Sequence, residues 1–481
     1  MPASVRKTAI VTASLGSFLA PFMVSGLIVA LPAIGNEFGL DAVSLSWLTS
    51  VFFLSSAAFL IPVGRLADIW GVKIVFRAGA LIYAGTAAIC AVAPDFTLLM
   101  TGRFLAGVAG AAVFSTSIAL MSLAVPAKER GRSIGINVTA MVTGFSLGFL
   151  AGGLLTFYSG WRSIFLVAVP VALVSAAVST RIPGECALAR DRRPDVPGMV
   201  LASAGILLLM AGLSAITGIY GLIAFLAGCV LAGAFVLHEQ RISSPLLDIR
   251  ALSGNRVFIL ANFTDFLYFT GGFASIFLVS LYLQLVRGLD PRVAGSVLLV
   301  QPVLMTLAAY GGRLADRFSP WKVAGAGAAL SIAPVAFFIL LDENTPLFAV
   351  IAALAVLGIG VALFQPSVAK AVVSSIGPSV YGMASGTVET MRLTGNTVST
   401  AISSIIFALL LGTTQITPGT SARFTGALHL LFSAYTLISL ATLVTIALLR
   451  NECKLVSARN PPGATDDGSD AGECLAERDR R

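Results

Sequence analysis

Gly64-Arg65-Leu66-Ala67-Asp68 is a pentapeptide that the chain repeats in full at residues 312–316. Each copy ends a long apolar run, and each is followed by a short turn that carries basic residues. A chance match of five residues is conceivable, but a match at the same end of an apolar run with the same charge pattern is much less so. The repeat therefore indicates a duplicated set of membrane helices, a construction found in many transporter folds.

The composition supports a membrane protein. Hydrophobic residues make up 57% of the 481 residues and charged residues only 11%, whereas a soluble domain carries about 25% charged residues. Runs such as 74–93 and 426–449 contain no acidic residue and have the roughly 20 residues that cross a hydrocarbon layer. Backbone polar groups must be satisfied inside that layer, so the runs are predicted to be helices. The predicted spans are 10–32, 44–65, 74–93, 97–122, 133–157, 162–180, 199–217, 219–237, 257–284, 293–312, 321–341, 347–368, 383–411 and 426–449.

Charge and cysteine content argue against other classes of protein. The net charge of +8 comes from basic residues spread along the chain, without a basic domain that would bind nucleic acid. The five cysteines form no CxxC pair and the chain has two histidines, so we expect neither a disulfide framework nor a metal site. A GxxxxGK[ST] loop is absent from the sequence, which excludes an ATP-driven pump for this chain alone. We expect no cofactor and no enzymatic activity.

Basic residues also predict the orientation in the membrane. With the N-terminus in the cytoplasm, the inside loops up to the thirteenth helix hold nineteen Lys and Arg residues and the outside loops hold four. Basic residues are retained on the cytoplasmic side, and fourteen spans place both ends on one side. We therefore expect a multi-pass protein of the cell membrane with cytoplasmic N- and C-termini, surrounded by lipid and monomeric.

Residues 64–73, with the sequence GRLADIWGVK, resemble the signature loop of the major facilitator superfamily. Ile69 and Val72 stand where the family usually has basic residues. The resemblance implies a conformational latch between two halves, whereas a simple positive-inside anchor is the alternative. A glycine at 64 would let backbones approach closely, and Asp68 would suit a neighbouring helix N-terminus. The expected latch residues are Gly64, Arg65, Asp68, Gly71, Lys73, Gly312, Arg313, Asp316 and Arg317.

The fifth predicted helix narrows the resemblance. Its glycine spacing is similar to the antiporter motif of the drug-efflux branch, although Phe149 stands where the family usually has proline. Glycines four residues apart form a groove that admits another helix closely, so ordinary small-residue packing is the alternative reading. The motif residues are Gly135, Gly144, Gly148, Gly152 and Gly153.

Segments 161–165 and 47–50 resemble the corresponding segments of fourteen-helix drug/proton antiporters, in which an extra helix pair lies between two six-helix halves. The resemblance implies an all-α membrane protein with the major facilitator fold and fourteen transmembrane helices, arranged as two six-helix bundles and an inserted pair. The expected divisions are the N-terminal bundle 10–180, the linker with two extra helices 181–256, the C-terminal bundle 257–449, and a disordered cytoplasmic tail 450–481.

An acid that relatives carry in the first helix is missing. Residues 30–32 match the Ala-Leu-Pro that ends the family's pattern, and nine residues earlier the usual aspartate is Met23. The usual asparagine between them is Ile28. Because intramembrane carboxylates are functional hypotheses by default, Asp265 in the ninth helix is a candidate to replace the missing acid. Glu389, three residues before Arg392, is either a structural ion-pair partner or a group that binds substrate or protons.

A second basic residue, besides Arg392, falls inside an apolar run. Arg103, followed by Gly107 and Gly110, resembles the family's helix-4 motif and would by analogy assist proton transfer. An arginine at the bilayer centre costs at least about 2.5 kcal/mol, so it should face the bundle interior, with snorkelling to the membrane surface as the alternative. The sequence further suggests polar and aromatic cavity residues: Asn262, Gln284, Gln301, Gln365, Asn396, Phe22, Phe53, Phe145, Phe266, Tyr268 and Phe364.

Three functions fit these features. The first is a proton-driven exporter of amphipathic small molecules that alternates between inward- and outward-open states. The second is a facilitator that moves a solute without protons, which the loss of the helix-1 aspartate favours slightly. The third is a non-transporting receptor or scaffold, which the retained loop and helix-5 motifs disfavour.

Overall fold

The computed structural model describes residues 3–125, 127–182, 194–242, 246, 255–375, 381–412 and 421–459. Fourteen helical segments in these ranges are long and apolar enough to cross a membrane, which confirms the predicted all-α membrane fold. The first eight are α1 Ala3–Phe38, α2 Ala42–Trp70, α3 Val72–Ala91, α4 Phe96–Ala124, α5 Ala127–Ser159, α6 Arg162–Ser179, α7 Val196–Ser214 and α8 Ile219–Glu239.

The later six helices are less regular. A π-helical turn, Tyr282–Val286, extends the ninth helix, and the tenth consists of three short segments. Pro302 lies in the middle segment and has no backbone N–H to donate. The six are α9 Arg256–Leu281, α10 Pro291–Arg317, α11 Pro320–Phe337, α12 Leu347–Ser374, α13 Tyr381–Leu410 and α14 Ser421–Arg459.

The last helix is longer than predicted. It continues past the expected end at 449 to Arg459, so the first residues of the predicted tail are helical. The rest of that tail, 460–481, lies outside the described residues, as do 183–193 and most of 243–254 in the two predicted linkers.

Helix packing separates two groups. In the first, α1 packs on α4, α5 and α6, while α3 packs on α4 and α6. In the second, α9 packs on α13 and α14, while α12 packs on α10 and α11. We call α1–α6 the N-half and α9–α14 the C-half. They meet where α2 packs on α13 and where α5 packs on α10.

The inserted pair lies beside the first of these interfaces. α7 contacts α2 of the N-half and α13 of the C-half, and α8 packs on α7. The Ser203 hydroxyl donates to the Ala58 carbonyl at 3.0 Å, which fixes α7 to α2. His238 at the end of α8 contacts Asp195 at the start of α7, with 3.0 Å between Nε2 and Oδ1. The pair thus flanks the two halves without separating them.

Hydrogen bonds join the two halves on one side of the bundle. This is the side where α1 ends and α2 begins, and we call it the far side. Ser280 of α9 and Gln284 of the π-helical turn that follows it donate to backbone carbonyls of α1, each at 3.0 Å. The hydroxyls of Ser46 and Ser404 lie 2.5 Å apart. The Arg292 guanidinium donates to the Tyr158 hydroxyl at 3.1 Å. The space between the halves is therefore closed on the far side.

Candidate functional site

A cavity of about 170 Å³ lies between the two halves. Its N-half wall is almost entirely apolar, and its one polar side chain, Ser56, already donates to the Gly107 carbonyl at 2.9 Å. Aromatic rings dominate this wall, namely Phe52, Phe53, Phe114, Phe145 and Phe149. Ring faces attract cations as well as apolar groups, so the wall suits an amphipathic molecule.

The C-half wall carries the charged and amide groups of the cavity. They are Gln301, Gln365, Glu389, Arg392 and Asn396, accompanied by hydroxyls of Tyr268, Ser331 and Ser439. The carbonyl oxygens of Gln301 and Asn396 are buried and have no hydrogen-bond partner among the described residues. The cavity is thus divided, with its polar contacts on one half and its aromatic surface on the other.

About half of the predicted cavity residues line it. Those that do are Phe53, Phe145, Tyr268, Gln301, Gln365 and Asn396. The other five make contacts elsewhere. The Gln284 amide donates to the Val29 carbonyl, the Asn262 amide donates to the Phe258 carbonyl, Phe22 stacks on Phe18, and Phe266 stacks on Phe263. Phe364 stacks on Tyr268 with ring centroids 3.6 Å apart, behind the wall.

Asp265, Glu389 and Arg392 form one charged cluster. Glu389 and Arg392 are three residues apart on α13, so they share a helix face, and Arg392 Nη1 donates to Glu389 Oε2 at 2.7 Å. Arg392 Nε lies 3.9 Å from Asp265 Oδ2 on α9. The Arg392 guanidinium also lies over the Phe269 ring, 5.0 Å from its centroid.

The two acids differ in their access to the cavity. Glu389 and Arg392 line it, whereas Asp265 is fully buried and is not among the lining residues. Within the described ranges, the two carboxylate oxygens of Asp265 have no hydrogen-bond partner, and Arg392 Nε has none either. A buried ionised group without such partners is costly. Asp265 and Arg392 therefore lie near each other with atoms that can still form hydrogen bonds, namely both carboxylate oxygens and Nε.

Gly395 brings the cluster together, and sequence reasoning missed it. A Cβ at this position would come within 2.7 Å of the Phe266 carbonyl oxygen and 3.1 Å of Phe269 Cβ. The absent side chain lets α13 approach α9 closely at the level of Asp265. The signal for it was available, since Gly395 follows Arg392 by three residues on the same helix face.

Arg103 lies inside the N-half, which matches the predicted orientation. Its side chain is 1% exposed, so it does not snorkel to the membrane surface. The guanidinium carbon lies 4.7 Å from the centroid of the Phe52 ring, and Phe52 lines the cavity. Arg103 itself is not a lining residue. Nε and Nη1 have no hydrogen-bond partner in the described part of the chain.

The glycines of α5 serve two contacts. A Cβ at Gly144, Gly148 or Gly152 would meet the backbone of α1, so these three form the predicted groove. Gly153 instead faces the backbone of α10 at Pro291, across the interface between the halves. Gly135 has open space around it and belongs to neither contact.

The two copies of the repeat are held differently. In the first, Gly71 has φ 113° at the junction of α2 and α3, and Lys73 Nζ donates to the Ile182 carbonyl at 2.7 Å. In the second, Asp316 Oδ1 accepts from Lys370 Nζ at 2.6 Å, which joins α10 to α12. Lys370 was not anticipated from the sequence, because it lies 54 residues away.

The glycine that begins each copy is not a close-packing position. A Cβ at Gly64 would meet only Ser115 Cβ at 3.7 Å, and one at Gly312 only Pro366 Cβ at 3.9 Å. Both distances are ordinary contacts, so the expected close approach at Gly64 is wrong in this conformation. The tight position is Gly311, where a Cβ would lie against the Ala362 carbonyl.

Trp161 and Arg162, which open α6, belong to a second polar network on the far side. The Trp161 indole N–H donates to Glu37 Oε2 at 2.7 Å, and Arg162 Nη1 pairs with Glu37 Oε1 at 2.6 Å. Arg162 Nη2 also donates to the Ala93 carbonyl at 3.0 Å. The network joins the end of α1, the α3–α4 turn and the start of α6.

Comparison with known proteins agrees with this architecture. The family model described as Major Facilitator Superfamily matches residues 13–400. The multidrug efflux pump LfrA of Mycolicibacterium smegmatis is 31% identical over 83% of this chain and 81% of its own length. The riboflavin transporter RibZ of Clostridioides difficile is 25% identical over 92% of this chain and 97% of its own length. The crystal structure of a bacterial homologue of the human lysosomal transporter Spinster has a TM-score of 0.67 at 16% identity, covering 94% and 98% of the two chains.

Proposed function

Because the chain belongs to the major facilitator superfamily, we propose that this multi-pass membrane transporter is a proton-coupled exporter of amphipathic small molecules such as drugs, antibiotics or metabolites. It works as a monomer in the cell membrane, with both termini in the cytoplasm, and alternates between states open to either side. The relative named for multidrug efflux supports export, and the one named for riboflavin supports a narrower cargo.

One observation carries the proton coupling: a cluster of two acids and one arginine at the central cavity, in which Asp265 is buried and Glu389 and Arg392 are partly exposed. Asp265 and Glu389 share Arg392, with contacts of 3.9 and 2.7 Å. Two carboxylates with one cation have a net charge of −1, which either a proton or a cationic substrate neutralises. Intramembrane acids that face a cavity are the usual carriers of protons in transporters.

The remaining motif residues have conformational roles in this proposal. The two repeat copies act as latches on the cytoplasmic side, where the Asp316–Lys370 ion pair and the hydrogen bond from Lys73 to the Ile182 carbonyl hold helix ends. Gly144, Gly148 and Gly152 hold α5 closely on α1 within the N-half, and Gly153 lets α5 approach α10 while the halves are closed on the far side. Arg103 stiffens the wall behind Phe52.

Transport by reconstituted protein tests the proposal. Liposomes that contain the purified protein are given a pH gradient with an acidic interior, and uptake of the fluorescent amphipathic cation ethidium is followed. We expect uptake that collapses with nigericin and is lost in Asp265→Asn and Glu389→Gln. The matched control is Glu343→Gln, an exposed acid in the turn between α11 and α12.

Met23 gives specific support to a second function, a facilitator without proton coupling. It is buried at the position to which the family resemblance assigns an aspartate, and the described N-half residues that line the cavity include no acid. Uptake that equilibrates ethidium equally well with and without the pH gradient would establish this function and contradict antiport.

A further inference from the structure

We propose that Arg392 acts as a shared cation that separates proton binding at Asp265 from substrate binding at Glu389, and that the substrate is therefore an aromatic monocation. This inference rests on the proposed antiport. It assigns the two acids different tasks and names the charge of the cargo.

The geometry places Arg392 between the two acids. Nη1 already bonds Glu389 at 2.7 Å, and Nε lies 3.9 Å from Asp265. A hydrogen bond requires about 3 Å between N and O, so a displacement of about 1 Å would complete the bond to Asp265. The side chain can therefore exchange one carboxylate for the other without leaving its place over Phe269.

The accessibility of the acids decides which one meets the substrate. Glu389 lines the cavity, and Asp265 lies behind it, fully buried. Among the described residues, the charged groups that act on Asp265 are Arg392 and Glu389 of α13, and Asp265 in turn acts on Tyr268 of its own helix. A molecule in the cavity therefore reaches Glu389 directly and influences Asp265 through Arg392.

Two states follow from these contacts. With a proton on Asp265, Arg392 bonds Glu389, the cluster is neutral, and the cavity offers no negative charge. When the proton leaves, Asp265 draws Arg392 toward itself, and Glu389 faces the cavity as an uncompensated carboxylate. The net charge of the cluster is then −1, which matches a substrate with one positive charge. Proton and substrate exclude each other although they bind different acids.

The opposite wall defines the rest of the substrate. The N-half contributes the rings of Phe52, Phe53, Phe114, Phe145 and Phe149 and no ionisable side chain to the cavity lining. Aromatic faces stabilise a cation by about 0.5–2 kcal/mol when water is excluded. A delocalised aromatic cation would thus pair with Glu389 on one side and stack on rings on the other.

Binding of tetraphenylphosphonium to the purified protein in weakly buffered detergent solution tests the inference, with tetraphenylborate as the anion of matched shape. We expect the wild type to bind the cation, to release up to about one proton per molecule bound, and to release none with tetraphenylborate. Asp265→Asn keeps Arg392 on Glu389 and should bind the cation about tenfold to a hundredfold more weakly, the value of a hydrogen bond to a charged group.

Binding by the double variant Asp265→Asn/Arg392→Gln decides whether Arg392 links the two acids. Removing the arginine frees Glu389, so binding of tetraphenylphosphonium should return to within a few-fold of wild type. Glu389→Gln should lose binding and proton release although Asp265 is intact, and Glu343→Gln should match wild type. A thermal unfolding curve for each variant identifies any that fails to fold.

Several results would overturn the inference. The wild type could fail to bind tetraphenylphosphonium, or tetraphenylborate could release protons from it. Glu389→Gln could bind the cation as tightly as the wild type does, or the double variant could bind it as weakly as Asp265→Asn does. The proposed antiport fails separately, if the wild type binds and releases as expected but a pH gradient does not drive transport in liposomes.

Discussion

Replacing Gly295 by alanine should shift the protein toward a conformation that is open on the far side. Gly295 at the start of α10 faces the Phe149 carbonyl and lies against Gly153 of α5, and an added Cβ would collide with that backbone. The collision exists only while α5 and α10 are together. The collision therefore destabilises the far-side-closed state relative to a state with separated halves.

The magnitude follows from two opposing effects. Overpacking a tight contact costs about 1–3 kcal/mol, and replacing glycine by alanine inside a helix gains about 1 kcal/mol in both states. The gain cancels between the two conformations, so the shift between them is the overpacking cost alone. A value of about 2 kcal/mol changes the ratio of the states about thirtyfold.

Labelling of a cysteine on the far side measures this ratio. Ser404 is bonded to Ser46 across the halves at 2.5 Å and is fully buried. In a background without the native cysteines, Ser404→Cys should react with a membrane-impermeant maleimide about thirtyfold faster when Gly295→Ala is added. Gly426→Ala is the matched control, because Gly426 on α14 has open space around it. Equal labelling rates with and without Gly295→Ala would refute the link between this contact and opening.

Two further predictions concern stability. Gly71→Ala should lower the free energy of unfolding by about 1–3 kcal/mol, because a φ of 113° is strained for any side chain. Gly64→Ala, in the interior of α2 with room for a Cβ, should instead raise it by up to about 1 kcal/mol; equal thermal shifts of the two variants would contradict this. Arg103→Met should leave the unfolding temperature unchanged or raise it, because replacing a buried charge by an apolar side chain is often neutral or stabilising. A clear fall in the unfolding temperature of purified Arg103→Met would show that Arg103 forms hydrogen bonds that stabilise the fold.

The helices were predictable because hydropathy is summed over about 20 residues, so that single exceptions such as Asp265 or Arg103 do not hide a span. The internal order of the tenth helix was less predictable, since Pro302 interrupts it without lowering its apolar character. The end of the last helix was missed because residues 450–459 are polar, and hydropathy reports membrane insertion rather than helix length.

The candidate site was harder to derive, because a cavity position depends on how far each helix is rotated. Gln284 and Gln301 are both polar residues in apolar helices, yet one bonds the backbone of α1 and the other lines the cavity. The contact between Asp265 and Arg392 joins residues far apart in the chain and depends on the closeness of α9 and α13 at Gly395. A single sequence shows which residues are charged, but it does not show how close α9 and α13 lie.

The uneven distribution of polar groups between the two cavity walls has a mechanical consequence for the proposed rocking motion. A molecule whose hydrogen bonds all go to the C-half keeps them and moves together with that half. The aromatic wall of the N-half then rotates relative to the bound molecule, and no hydrogen bonds have to break during this motion. Changes on the C-half wall should therefore alter how tightly cargo is held, and changes in the size of the N-half rings should alter how fast it crosses.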